Sequence, residues 1–189
     1  MSDGALLRFT AVACVRGGRL LFEGLDLTLA PGEALLVTGA NGAGKSSLIR
    51  VAAGLLRASA GNVERLSAVA LADEALALDP KQTVASALGF WALLDGGDAA
   101  RGMAAMDLTR LAEVPVRMLS TGQRKRAALA RVVASGAPLW LLDEPANGLD
   151  SEGLERLAAA MAAHRTGGGA VLAASHQALP LGAHRVLAL

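Results

Sequence analysis

Three glycines and a lysine stand immediately before a run that is typical of an amphipathic helix. The segment reads TGANGAGKSSLIRVAAGLL, residues 38–56, and contains the pattern G-x-x-x-x-G-K-[ST]. Glycines allow consecutive N–H groups to surround a phosphate, and the positive end of the following helix points to the same place. Lys45 can reach phosphate oxygens, Ser46 can ligate Mg²⁺, and Ser47 can contact phosphate. The predicted phosphate-binding loop comprises Gly39, Ala40, Asn41, Gly42, Ala43, Gly44, Lys45, Ser46 and Ser47.

Two adjacent carboxylates, Asp143 and Glu144, end the apolar run LWLLDE at 139–144. A carboxylate at the end of a buried strand can hold Mg²⁺, so Asp143 is a candidate metal ligand together with Ser46. Glu144 can orient and deprotonate an attacking water. Without a cation the two carboxylates would repel each other, and the alternative interpretation is a strand that ends in solvated acids. We therefore expect a nucleotide site with a metal, in which Glu144 is the catalytic base.

Short apolar runs alternate with helix-like segments along the chain, which predicts buried parallel strands. The clearest candidates are ALLVTG (34–39), LWLLDE (139–144) and AVLAAS (170–175). Alternating pieces in the first 30 residues predict an antiparallel flank. TVASALGFWALL and AARGMAAMDLTRLAE predict an inserted helical lobe over about 82–119. We expect a single α/β domain over 1–189: a P-loop NTPase core of mostly parallel sheet, with an N-terminal antiparallel β flank and the helical lobe.

The composition is that of a globular chain able to bury one substantial core, since 53% of its 189 residues are hydrophobic and 19% are charged. The net charge of +1 gives no electrostatic case for a nucleic-acid partner. The single cysteine, Cys14, excludes an intramolecular disulfide and is expected in the core. The longest uncharged apolar run, 84–94, is far shorter than the ~20 residues of a membrane span. MSDGALLRF shows no secretory signal, so we expect no membrane span and no leader, and no room for a regulatory domain after Leu189.

The segment LSTGQ at 119–123 indicates which class of nucleotide-binding protein this chain is similar to. It resembles the signature LSGGQ of the ATP-binding cassette (ABC) family, with Thr121 replacing the first glycine. The order of motifs is also similar: P-loop, helical lobe, signature, the carboxylate strand, ANGLD ending at Asp150, and His176 after an apolar strand. The resemblance implies an ABC nucleotide-binding domain that hydrolyses ATP, with ATP and Mg²⁺ as its cofactors.

The same resemblance implies a head-to-tail homodimer of cassettes. In this family the signature of one cassette caps the γ-phosphate held by the P-loop of the other, and a two-fold interface forms both sites together. A helix start offers a hydroxyl and backbone N–H groups to a phosphate. His176 is implied to contact the γ-phosphate and Glu144, whereas alone it would be interpreted as a core histidine at a strand end. The residues implied to complete the partner's site are Ser120, Thr121, Gly122, Gln123 and Asp150.

The sequence departs from the family pattern at two positions. The family's adenine-stacking aromatic residue is missing from ACVRGGRLLF, where the guanidinium of Arg16 can stack on the base instead; the alternative is a hairpin arginine in solvent. The family's Q-loop glutamine, which meets Mg²⁺, is also missing. Glu74 in ALADEAL is the best match and a candidate metal ligand, with Asp73 as an alternative, while Gln82 lies too far along the chain.

The compact length and the segments CVRGGRLLFEGLDLTLAPGE and VPVRMLSTGQRKRAALARV are similar to the ATP-binding subunits of bacterial haem exporters of cytochrome c biogenesis. That resemblance implies a peripheral protein at the cytoplasmic face of the inner membrane. It would dock on integral membrane subunits, and its ATP cycle would drive release of a haem-loaded chaperone. The alternatives are the ATPase subunit of another small exporter, of drugs or lipids, and a soluble cassette that acts on ribosomes or DNA repair.

Several other side chains have a structural interpretation. We expect Trp140 in the core, and His164 and His184 on the surface. Arg124–Arg126 is expected to form a solvated helix face, with contact to lipid headgroups or a partner as the alternative. The apolar pair Phe90 and Trp91 beside the Q-loop position predicts that 76–91 forms the groove for the membrane partner, the alternative being ordinary lobe core.

Overall fold

Eight strands form two sheets in the computed structural model, which describes residues 4–189. Met1–Asp3, the first part of the segment that shows no secretory signal, lie outside the described residues. The prediction of a parallel core with an antiparallel flank and a helical lobe is confirmed.

The larger sheet is parallel and has the strand order β5-β6-β7-β3-β8. The three strands expected from apolar runs are central, and every residue of β6 and β7 is buried because both faces of the sheet are covered. The strands of this sheet are β3 (Ala34–Thr38), β5 (Val69–Ala72), β6 (Leu139–Asp143), β7 (Ala170–Ala174) and β8 (Arg185–Ala188).

The smaller sheet is antiparallel, with the order β2-β1-β4. Its strands are β1 (Leu7–Arg16), β2 (Arg19–Leu29) and β4 (Ala60–Arg65). Its buried face packs with the first helix and one face of the parallel sheet in a common apolar core, and the expected core residue Cys14 is fully buried there. Burial raises the pKa of the Cys14 thiol.

Five α-helices accompany the sheets within residues 4–189, and two of them lie in the inserted lobe. The ends of the lobe are held together, since the Val84 N–H donates to the Val114 carbonyl at 3.0 Å and the Val116 N–H to the Gln82 carbonyl at 2.9 Å. The lobe therefore leaves and rejoins the core at one place. The helices are α1 (Lys45–Ala53), α2 (Val84–Asp95), α3 (Ala99–Ala105), α4 (Thr121–Ser135) and α5 (Ser151–Thr166).

The segment 99–113 is less helical than its sequence pattern suggests. Helix α3 ends at Ala105, and Asp107 follows with a φ of 51°, in the left-handed region that ends a helix. Short 3₁₀ turns at Thr109–Leu111 and Val116–Met118 complete the lobe.

His164 is not the surface residue that we expect from the sequence. It is half-buried, and its ring stacks on that of Trp140 with 3.9 Å between centroids. Its Nε2 lies 3.1 Å from the Pro138 carbonyl oxygen, and burial lowers the pKa of the imidazole. Trp140 is buried and His184 is exposed, as predicted.

Residues 4–189 contain no helix with the length and hydrophobicity that a membrane span requires.

Candidate nucleotide-binding site

A cleft of about 580 Å³ opens where the carboxyl ends of four parallel strands meet. The loops after β3, β5, β6 and β7 all reach this edge of the sheet, which is where ligands bind in open α/β folds. The sequence-predicted residues on its wall are Arg16, Asn41, Gly42, Gly44, Lys45, Ser46, Ser47, Glu74, Glu144 and His176. Leu21 and Asn147 complete the lining.

The phosphate-binding loop presents an uncapped helix start to this cleft. Helix α1 begins at Lys45, and its N-cap, Gly44, offers no side chain to the first backbone N–H groups. Gly44 has a φ of 116°, and a Cβ there would lie 3.1 Å from the Cβ of Leu21, so the position favours glycine on both counts. The open N–H groups and the positive end of the helix form a site for an anion.

Lys45 is folded back onto the loop. Its side chain is buried, and its Nζ donates to the carbonyl oxygens of Gly39 at 2.8 Å and Ala40 at 3.2 Å. The ammonium is therefore held at the mouth of the loop. Phosphate oxygens arriving there would find a cation that is already oriented by the backbone.

Asp143 is buried at the end of β6, beside Ser46 of α1. Burial raises the pKa of its carboxyl, an effect that the hydrogen bond to the Ser46 side chain opposes and the nearby Glu144 and Glu74 increase. Within residues 4–189 its Oδ1 is buried without a hydrogen-bond partner. Such an orphaned acceptor among carboxylates and a hydroxyl fits a Mg²⁺ ion, which takes oxygen ligands.

Glu144 adopts a backbone conformation that is uncommon for a residue with a side chain. Its φ is 46°, in the left-handed region, immediately after the buried strand. Its Oε2 lies 2.9 Å from the Nδ1 of His176 and accepts from the backbone N–H of His176 at 3.4 Å. The Nε2 of His176 lies 3.2 Å from the side-chain nitrogen of Gln177. The carboxylate is thus aimed into the cleft by its backbone and oriented by His176.

Arg16 and Glu74, which stand where the sequence departs from the family pattern, both line the cleft. Glu74 lines it, whereas Asp73 lines a neighbouring cavity and accepts the N–H of Ala75 at 3.0 Å. Gln82 is at the base of the lobe, where it accepts the hydroxyl of Ser86 at 3.0 Å. Arg16 is exposed on the opposite wall, at the end of β1.

The signature residues do not join the cleft of their own chain: within residues 4–189, none of those that line the cleft belongs to 119–123. Ser120 caps α4, accepting the Gln123 N–H at 3.2 Å, while Oε1 of Gln123 accepts the Ser120 N–H at 2.9 Å. Asp150 caps α5 through the Gly153 N–H at 2.8 Å. A separate pocket of about 210 Å³ contains Ser120, Gly122, Gln123 and Asp150 among its lining residues. Thr121 borders another cavity, beside Glu144.

The expectation of a solvated face over Arg124–Arg126 is wrong for two of its residues. Lys125 is half-buried and faces the carboxylates near the cleft, and Arg126 lies 3.5 Å from Asp107. Only Arg124 is exposed, with its Nε donating to the Leu119 carbonyl. Asn147 also lies on the cleft wall. The segment ANGLD alone does not predict this position, because it depends on how the chain turns after Glu144.

Comparisons with known proteins agree with this architecture. A protein-family model described as ABC transporter matches residues 22–147. The cytochrome c biogenesis ATP-binding export protein CcmA of Sphingopyxis alaskensis is 60% identical over 179 residues, covering 93% of this chain and 92% of the relative. The protein of the same name from Novosphingobium aromaticivorans is 58% identical over 180 residues, with coverages of 95% and 93%.

A solved structure shares the fold at lower identity. It is a dimeric, post-hydrolysis state of an ATP-binding cassette bound to ADP and Pi, with a TM-score of 0.79 and 19% identity. The alignment covers 90% of this chain and 88% of that one. The chain therefore belongs to the ABC transporter family and, within it, to the family of cytochrome c biogenesis ATP-binding export proteins.

Proposed function

We propose that this chain is the ATP-hydrolysing subunit of a membrane transporter complex, with residues 1–189 acting as one nucleotide-binding domain. The observation that carries this function is the placement of Lys45, Glu144 and His176 around a single cleft. The loop 39–47 binds the phosphates, and the guanidinium of Arg16 is available to stack on the adenine. Calorimetry with ATP tests the binding step: Lys45→Ala should abolish or strongly weaken it, and unchanged affinity would contradict it.

The residues present fit a Mg²⁺ ion, which would be held by Ser46, Asp143 and Glu74. When bound, Mg²⁺ would offset negative charge on the phosphates of ATP. Glu144 then takes the proton of the attacking water as general base. His176 orients that carboxylate through the 2.9 Å contact and adds a polar group at the γ-phosphate position.

The active unit that we propose is a head-to-tail homodimer. Ser120, Gly122 and Asp150 lie in a pocket apart from their own chain's cleft, which supports contact with a nucleotide that is held by a second copy of the chain. Thr121 stands in this signature where the family has glycine. The rate of ATP hydrolysis per subunit should rise with protein concentration. A constant rate down to dilute monomer would contradict the composite site.

The complex that we propose is the haem exporter of cytochrome c biogenesis, with the chain at the cytoplasmic face of the inner membrane. The support is the identity of 60% and 58% to proteins named for ATP-binding export in cytochrome c biogenesis. This level favours that role over drug or lipid export and over a soluble cassette function. Affinity purification from membranes should recover an integral membrane subunit of that complex, and recovery of a drug or lipid exporter subunit would overturn the assignment.

A further inference from the structure

A second cavity, of about 360 Å³, lies between the start of the signature helix α4 and the carboxylates beside the nucleotide cleft. Asp73, Glu74 and Glu144 contribute three carboxylates to its wall, and Lys125 and Arg124 contribute two cations. Glu74 and Glu144 line both this cavity and the cleft. The side chain of Lys125 therefore shares two carboxylates with the proposed Mg²⁺·ATP site.

Burying the charged ammonium of Lys125 costs free energy unless nearby carboxylates offset the loss of hydration. Burial lowers the pKa of its ammonium, and Asp143, Glu144, Glu74 and Asp73 all act in the opposite direction. Within residues 4–189 Lys125 makes no direct ion pair or hydrogen bond, and it shares the wall of the cavity with Asp73, Glu74 and Glu144. A lysine on a solvated helix face would be exposed and would not have four carboxylates around it. Lys125 therefore does not fit that interpretation.

We propose that Lys125 is a positioning residue that serves as the built-in counter-cation of the Glu74–Glu144 pair when Mg²⁺ is absent. The proposal rests on the proposed function, because it concerns how the same cleft accepts ATP. Without a cation, Glu74 and Glu144 would repel the phosphates of incoming nucleotide; Lys125 reduces that repulsion, and Mg²⁺ relieves what remains. A carboxylate at the Q-loop position is thereby compatible with nucleotide binding.

Lys125 also connects the cleft to the signature. It stands in α4, which begins at Thr121 directly after the capping residue Ser120. Lys125 therefore lies on the same helix as the signature residues Thr121, Gly122 and Gln123.

The test compares the affinity for a non-hydrolysable ATP analogue with Mg²⁺ and with EDTA. In Lys125→Met the gain in affinity that Mg²⁺ gives should be larger than in the wild type by about three- to tenfold, because a unit charge near the carboxylates has been removed. Lys125→Arg should restore the wild-type gain. Lys81→Met, the same change at an exposed lysine, should leave it unaltered.

A double variant separates charge compensation from a general packing effect. In a Glu74→Gln background, Lys125→Met should change the Mg²⁺ gain less than it does in the wild-type background, because one of the two carboxylates that Lys125 offsets is gone. The proposal would be overturned if Mg²⁺ raised the analogue affinity equally in the wild type and in Lys125→Met. It would also be overturned if Lys125→Met changed that gain as much in the Glu74→Gln background as in the wild-type background. If Lys45→Ala weakens analogue binding in the same assay while Lys125→Met has no effect, the proposed function stands and only this inference fails. If Lys45→Ala also leaves binding unchanged, the proposed function fails.

Discussion

The Nδ1 of His176 lies 2.9 Å from the Oε2 of Glu144, a contact that joins the ends of the neighbouring strands β6 and β7. Glu144 enters this contact with a φ of 46°, so its backbone and its hydrogen-bond partner both fix the direction of the carboxylate. A base that is already oriented toward the cleft needs little rearrangement when a water and a γ-phosphate arrive. The pair is the part of the site on which hydrolysis should depend most directly.

Glu144→Gln should separate hydrolysis from binding. Glutamine keeps the size and much of the hydrogen bonding of glutamate but cannot accept the proton of the attacking water. The hydrolysis rate should fall by ~10²–10⁴-fold, the usual contribution of a general base, while ATP affinity persists. Phosphate release and calorimetry on the same preparation measure both quantities. Near-normal turnover would show that another group is the base.

The stacked pair of His164 and Trp140 predicts a pH dependence of stability away from the cleft. Burial holds the pKa of His164 below the value of 6.5 that it has in an unfolded chain. Below pH 6.5 the unfolded state therefore binds more protons than the folded state, so this contribution to stability is present above that pH and is lost as the pH falls toward the folded-state pKa.

His164→Phe preserves an aromatic ring against Trp140 but cannot be protonated. Its melting temperature should fall less steeply than that of the wild type between pH 7 and pH 5, on the acid side of the usual histidine pKa. His184→Phe, at an exposed position, is the control and should follow the wild-type slope. If the melting temperatures of the wild type and His164→Phe fell equally steeply with pH, burial of the His164 imidazole would not contribute to the pH dependence of stability.

We expect the membrane partner to dock on the outer face of the lobe, where helix α2 exposes apolar side chains. Phe90 is 54% exposed and Leu93 is 83% exposed, so helix α2 presents large apolar side chains to its surroundings. Trp91 is placed differently: it is partly buried, and its indole N–H donates to the Ala77 carbonyl just beyond the Q-loop position. The guanidinium of Arg131 lies over its ring, 4.6 Å from the centroid. Trp91 thus connects the helix that exposes Phe90 and Leu93 to the segment that carries Glu74, through its hydrogen bond to Ala77.

Replacing Phe90 and Leu93 by serine should lower recovery of the chain with membranes and leave ATP affinity unchanged. The change removes apolar contact area without touching the cleft. Leu55→Ser is a matched control, since Leu55 is 67% exposed and follows α1, outside the lobe. Membrane recovery and nucleotide affinity are measured for each variant. Equal recovery for the lobe variant and the control would show that docking lies elsewhere.

The central strands β3, β6 and β7 and the segments that follow β3 and β6 could be predicted from sequence because their signals are local. An apolar run followed by glycines, or by Asp143 and Glu144, specifies both a buried strand and the residues at its end. Cys14 and Trp140 could be assigned to the core for the same reason. The three predicted strands therefore agree with the structure.

Lys125 and His164 could not be placed in this way. The local sequence of each residue is typical of a solvated helix face. Each is nevertheless partly buried among residues that are distant in sequence. Lys125 lines a cavity together with Glu74 and Glu144, and His164 stacks on Trp140. The early end of α3 depends on Asp107, whose left-handed φ has no strong sequence signal. Short-range patterns do not contain these tertiary contacts.

We expect nucleotide chemistry in this cleft to drive a step of cytochrome c biogenesis, and haem staining of periplasmic proteins is the sharpest test of that claim. A cell whose only copy of the chain carries Lys45→Ala should assemble the membrane complex, contain normal b-type cytochromes and lack mature c-type cytochromes. The alanine removes the cation at the mouth of the phosphate loop and leaves the docking face of the lobe intact. Normal c-type cytochromes in that cell, with the variant present in the membrane fraction, would contradict the claim.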